Sequence, residues 1–166
     1  MSVDEEFTDF ATARTADLFR CALLLTGDWH AAEDLVQDTW AQVYRRWNRV
    51  SAAEQPGAYA RRMLVNAFLS RSRRRSSTEL SVADPGRDQP AAAPDVALRA
   101  TLFEALARLA PRDRVVVVLR YWDGLDAAST GELLGCSPDA VRTRARRALA
   151  RLREELATDL PSLLTD

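Results

Sequence analysis

The chain has 166 residues, 47% of them hydrophobic, enough for one ordinary domain or two small ones with packed cores, which excludes global disorder. The net charge of −1 hides a segregated distribution: residues 1–40 hold nine acids and two arginines, while residues 61–75 and 142–153 each hold six arginines and no acid. An acidic front and two basic blocks suit two different partners, one cationic and one polyanionic. All 23 cationic side chains are arginine, a bias that GC-rich coding explains by itself but that still supplies guanidinium forks suited to phosphates and guanine edges. Cys21 and Cys136 are far apart, and with His30 as the lone histidine the usual zinc spacings cannot be assembled, so no metal or cofactor is expected. Both cysteines read as small buried hydrophobes in a reducing compartment. The acidic start is unlike a signal peptide, and no apolar run approaches membrane-spanning length, so a cytoplasmic protein without membrane insertion is expected.

In chain order, Thr8 to Leu25 places Phe7, Ala11, Leu18, Ala22 and Leu25 on one helical stripe, with Gly27 as a left-handed stop. Asp28 then caps a second helix whose apolar residues Ala32, Leu35, Val36, Thr39, Trp40, Val43, Trp47 and Val50 recur every three or four positions. Ser51 to Pro56 breaks that pattern. A third helix carries Ala60, Met63, Leu64, Ala67 and Phe68 on one face and runs into Arg71-Ser-Arg-Arg-Arg75. Three such helices can close a core. Residues 76–94 contain three prolines and a glycine and almost no large apolar side chain, so they read as a flexible linker.

Beyond it, Leu98, Leu102, Ala105, Leu106 and Leu109 form a fourth helix that Pro111 ends, and Pro111 opens a fifth at its first turn. Val115 to Val118 suit a strand by propensity. The flanking residues extend the segment at helical period to Gly124, and helix is the preferred reading. Asp126 caps a short helix to Leu134, with Gly131 near its middle at a cost of about 1 kcal/mol relative to alanine, which a close helix crossing would justify. Gly135-Cys136 makes a turn, Ser137 caps the next helix and Pro138 takes its first position. Val141, Ala145, Leu149, Leu152 and Leu156 line a buried face, leaving Arg142, Thr143, Arg146 and Arg147 on other faces near the helix start. Short helix, tight turn, capped arginine-rich helix: this is the pattern of a DNA-binding helix-turn-helix. A plain helical hairpin with a solvated arginine face is the bland alternative.

These segments carry a resemblance. Leu106-Ala-Arg-Leu-Ala-Pro-Arg-Asp-Arg-Val-Val-Val-Val-Leu-Arg-Tyr-Trp-Asp-Gly-Leu125 with the following helix-turn-helix resembles domain four of the extracytoplasmic-function sigma factors, especially their SigE-type actinobacterial branch. Leu24-Leu-Thr-Gly-Asp28, Ala32-Glu-Asp-Leu-Val-Gln-Asp38 and Tyr59-Ala-Arg-Arg-Met-Leu-Val-Asn66 resemble domain two. The resemblance covers about 8–75 and 98–156. It implies an all-α protein of two small domains: domain two, a three-to-four-helix bundle, over 1–75, a flexible linker over 76–97, and domain four, with the helix-turn-helix, over 98–166.

It also implies a division of labour. Asp34, Leu35, Val36, Gln37 and Asp38 would dock on the β′ clamp of core RNA polymerase, with Asp34, Gln37 and Asp38 the better placed because Leu35 and Val36 share the core stripe. Domain four would meet the β flap. Asn66 would capture an unpaired base of the −10 element, since an amide both donates to and accepts from a base edge. Tyr59 and Trp47 would be candidates to stack on bases, though Trp47 also fits the core. Arg61, Arg62, Arg71, Arg73, Arg74 and Arg75 would hold phosphates, adding affinity without sequence information. Arg142, Thr143 and Arg147 would touch the −35 element in the major groove, with Arg144 and Arg146 on phosphates. Promoter DNA, core polymerase and an anti-sigma factor are the implied partners. One departure stands out: Asp126-Ala-Ala-Ser-Thr-Gly131 replaces the acidic pair and aliphatic-alanine step usual in that helix.

Two other readings compete. A free-standing helix-turn-helix regulator explains 98–160 but leaves the first domain without a role. An enzyme acting on DNA would need a nucleophile placed beside a base, and the chain offers neither that nor a glycine-rich phosphate loop, so no enzymatic activity is expected.

Overall fold

The structure is a computed structural model that describes residues 1–77 and 94–163. The chain divides into two compact units, Met1–Glu79 and Leu80–Asp166, and the described residues contain helix and no strand.

In the first unit, α1 spans Val3–Thr26, starting earlier than the apolar stripe indicates. The cause is a reciprocal cap: the Glu5 amide donates to Ser2 Oγ (3.3 Å), and the Ser2 amide donates to the Glu5 carboxylate (2.7 Å). Gly27, at φ +69°, ends the helix as expected. Asp28 then caps α2 (Trp29–Arg45), its carboxylate accepting from the Ala31 amide at 2.8 Å. Ala32, Leu35, Val36, Thr39, Trp40 and Val43 are all buried, so the stripe does what its spacing requires.

The second helix was expected to continue to Val50, but it stops at Arg46, whose backbone leaves the helical region (φ −116°, ψ 20°). A short α3 (Trp47–Ser51) follows and keeps Trp47 and Val50 buried. Trp47 sits against Phe7 and Phe10, with ring centroids 5.5 and 5.2 Å away. Its place is the core, and base stacking by this ring is set aside. α4 (Pro56–Ser77) buries Ala60, Met63, Leu64, Val65, Phe68 and Leu69, and α1, α2 and α4 pack on one another.

In the second unit, α5 (Pro94–Ala107) packs on α8 (Pro138–Leu163). Of the residues expected as linker, 76–97, those at both ends are helical. α4 continues through Ser77, and α5 begins at Pro94, where a first-turn proline loses no helical hydrogen bond. Residues 78–93 lie outside the described residues. α6 (Pro111–Val117) opens on Pro111 as expected, and Arg114 Nη2 closes the turn before it by donating to the oxygens of Ala107 (2.9 Å) and Leu109 (3.2 Å). Burial holds that guanidinium below its ordinary pKa.

The valine run is helical. It passes into a π-helical turn, Val118–Trp122, in which the Asp123 amide reaches the Val118 oxygen. Val115 to Leu119 are all buried, which explains why the run looks like a strand: a helix enclosed on all sides loses its polar face. Gly124, at φ +69°, ends it. α7 (Ala127–Leu134) and α8 then pack together. No described helix is long and apolar enough to cross a membrane.

Candidate nucleic-acid interface

The helix-turn-helix is built as its residues require. The Ser129 amide donates to the Asp126 carboxylate (2.7 Å) and holds this carboxyl below its ordinary value, so α7 begins on a charged cap. Gly135 takes φ +68° and closes α7 through its amide on the Gly131 oxygen. A Cβ on Gly131 would stand 2.5 Å from the Cys136 carbonyl oxygen. Glycine is thus required by the backbone of the turn itself, not by a crossing helix as expected. The Ala140 amide donates to Ser137 Oγ (3.1 Å), fixing the start of α8.

On α8, Val141, Ala145, Ala148 and Leu152 face inward, with Leu149 and Leu156 half-buried. Arg142, Thr143, Arg146 and Arg147 are exposed in two adjacent rows, Arg142–Arg146 and Thr143–Arg147. Arg142 also pairs with Asp139 one turn earlier (2.7 Å), an exposed contact that a DNA phosphate or base can displace at little cost. Arg144 differs. Its Nη1 pairs with Asp113 of α6 at 2.9 Å, which sets it apart from the expected row of phosphate contacts.

In the first unit, Tyr59, Arg62, Asn66, Ser70 and Arg73 recur along α4 at spacings of three and four, so they share one face. Arg62, Asn66 and Arg73 are exposed, and Tyr59 and Ser70 are half-buried. Arg74 lies beside this face with its Nη2 on Ser70 Oγ (3.3 Å), and Arg75 is exposed one residue on. Arg61 is half-buried on another side of the helix. Arg71, expected with the phosphate contacts, turns to α2 instead: it pairs with the Asp38 carboxylate and donates to the Asp34 main-chain oxygen (3.4 Å).

Along α2, Asp34, Gln37 and Asp38 are exposed beside Glu33. Leu35 and Val36, expected within the same docking set, are 0% and 2% exposed, so their side chains belong to the core and offer a partner nothing. Trp29, at the start of this helix, is exposed, packs edge-on against Phe19 (4.6 Å between centroids) and donates from Nε1 to Glu33 (3.0 Å). Among the described residues no group of His, Cys, Asp and Glu is arranged to hold a metal.

Two all-helical units, the second closing on a helix-turn-helix with an outward arginine face, define the class: a DNA-binding protein of the sigma type. Residues 12–78 match the family Sigma-70 region 2, and residues 99–152 match Sigma-70, region 4. RNA polymerase sigma-E factor of Streptomyces coelicolor is 38% identical over 157 residues, 93% of this chain and 89% of that protein. Its counterpart in Streptomyces antibioticus is 36% identical over 154 residues, covering 92% of this chain and 86% of the relative. The sigma factor RpoE of Bartonella quintana, solved in complex with the anti-sigma factor NepR, shares the fold with a TM-score of 0.71 at 22% identity, over 93% of this chain and 99% of that one. The extracytoplasmic function sigma factor SigJ of Mycobacterium tuberculosis gives a TM-score of 0.63 at 26% identity, over 95% of this chain and 56% of that one. The chain belongs to the extracytoplasmic-function sigma factors of RNA polymerase, in their SigE-like branch.

Two residues of α6 that tie into the helix-turn-helix were not singled out from the sequence. Arg112 donates from Nη2 to the Leu134 oxygen at the end of α7 (2.8 Å), and Asp113 holds Arg144. Their partners stand 22 and 31 residues away, beyond any local pattern.

Proposed function

We propose that this sigma factor docks on the β′ clamp of core RNA polymerase through Asp34, Gln37 and Asp38, while its second unit meets the β flap. The α4 face of Tyr59, Arg62, Asn66 and Arg73 then reads and holds the unpaired −10 strand. Arg142, Thr143 and Arg147 read the −35 element from the major groove, and Arg146 grips the backbone beside them. Catalysis stays with the polymerase. We further propose that the protein works in the cytoplasm and is restrained by an anti-sigma factor, as the Bartonella relative is bound by NepR.

The observation that carries this reading is the adjacency of two unlike surfaces on packed helices. The exposed acids of α2 suit a charge-steered protein interface, and the exposed amide and arginines of α4 suit a base-reading, phosphate-holding face for single-stranded DNA. A free-standing regulator has no use for the first of them. The test is binding to promoter duplex with and without core polymerase. The sigma reading expects weak duplex binding by the chain alone and specific binding once core enzyme is added. Tight, sequence-specific duplex binding by the chain alone would favour the regulator.

A further inference from the structure

Proximity alone does not aim a recognition helix. A long helix held through small residues such as Ala145 and Ala148 can roll or slide, and a displacement of an ångström takes an arginine fork off a base edge. The structure contains two polar ties that oppose this movement, both from the first turn of α6. Arg112 Nη2 donates to the Leu134 main-chain oxygen (2.8 Å), one of the orphan carbonyls at the end of α7. Asp113 Oδ1 accepts from Arg144 Nη1 on α8 (2.9 Å). The Asp113–Arg144 pair is mostly covered, with side-chain exposures of 22% and 33%, so it is shielded from salt better than the exposed Arg142–Asp139 pair. Neighbouring residues of α6 therefore hold both helices of the motif, one at each side of the Gly135-Cys136 turn.

We propose that Asp113 is a positioning residue for −35 recognition and that Arg144 is its strut, so that Arg144 aims Arg142, Thr143 and Arg147 instead of gripping DNA. This rests on the reading of α8 as the −35 reader. Arg146 and Arg147 are exposed on α8 and remain available for the duplex, whereas the Arg144 guanidinium is committed within the protein.

The test uses the 166-residue chain assembled with core polymerase from Streptomyces coelicolor, transcribing a promoter library randomised across both elements. The variants are Asp113→Asn, Arg144→Gln, the double variant, and the swapped pair Asp113→Arg with Arg144→Asp, all read at a temperature where each keeps the wild-type helical signal. Each single variant should reduce the preference for the best −35 sequence by about fivefold, and the double should reduce it no further, as two ends of one contact require. The swap should recover most of the preference, the −10 preference should stay as it was, and the salt slope should not change because no phosphate contact is lost. A purely structural role would lower output from every promoter alike. The proposal is overturned if Arg144→Gln weakens all −35 sequences equally and flattens the salt slope by about one unit while Asp113→Asn changes nothing, the signature of a phosphate contact. A wild-type holoenzyme without any −35 preference would overturn the reading of α8 itself, and the positioning role with it.

Discussion

The Arg71 guanidinium on α4 pairs with the Asp38 carboxylate on α2 and also donates to the Asp34 main-chain oxygen at 3.4 Å. One side chain therefore joins the helix proposed to dock on polymerase to the helix proposed to hold DNA. The pair is half-exposed, with side-chain exposures of 27% and 63%, so it contributes roughly 1 kcal/mol or less to stability.

Reversing Asp34 and Asp38 to arginine should accordingly abolish assembly with core polymerase while leaving the helical content intact. Co-purification with core enzyme and circular dichroism read the two effects separately. Undiminished co-purification would remove the docking role from this face.

Replacing Gly131 with alanine sets two opposed terms against each other. Helix propensity alone favours alanine by about 1 kcal/mol. The new Cβ, however, meets the Cys136 carbonyl oxygen at 2.5 Å, and that oxygen is fixed backbone of the turn. Overpacking against backbone costs about 1–3 kcal/mol or more, so the variant should melt at lower temperature than wild type and lose −35 preference. A variant as stable as wild type would show that the turn yields easily.

On the recognition helix the exposed rows predict distinct behaviour. Arg142→Ala and Arg147→Ala should each cost about 1–3 kcal/mol on a matched −35 element and little on a scrambled one. Arg146→Ala should weaken both alike and reduce the salt slope by about one. Equal losses on matched and scrambled DNA for the first two would make them positioning contacts without base readout.

The cap of α7 predicts a pH dependence. The Ser129 amide holds Asp126 below its ordinary value of 3.8, so the unfolded chain takes up the proton more readily than the folded one. The stabilisation is whole above the ordinary aspartate range and is lost as pH falls through the lower folded-state value. Asparagine caps without titrating. As pH falls below about 4, wild type should therefore lose melting temperature faster than Asp126→Asn, and parallel curves would contradict the cap's contribution.

Much of this was legible in the sequence because it is local. The caps Asp28, Asp126 and Ser137, the stops Gly27, Gly124 and Gly135, and the first-turn proline Pro111 each act within a few residues, and each stands where its chemistry requires. The break at Arg46 was not legible, since neither proline nor glycine marks it and the apolar spacing of Trp47 and Val50 continues across it. Nor was the π turn after Val117, because a uniformly buried run carries no period to betray a change of pitch. The site divided along the same line. Exposure of Asn66, Arg142 and Arg147 follows from helical spacing, whereas the commitments of Arg71 to Asp38 and of Arg144 to Asp113 depend on helices meeting in space.

The α4 face is proposed to read the open −10 strand within a polymerase holoenzyme, with Asn66 as the reader. Asn66 is exposed between Arg62 and Arg73 on α4, and the proposed reading has it meet an unstacked base while the arginines hold the backbone on either side. In vitro transcription by the reconstituted holoenzyme from a library randomised across the −10 element tests this most directly. Wild type should show a base preference at each −10 position that it reads. Asn66→Ala should flatten the preference at one of them, by about 1–3 kcal/mol, while core assembly and −35 preference persist. Retention of the wild-type preference at every −10 position would contradict the claim.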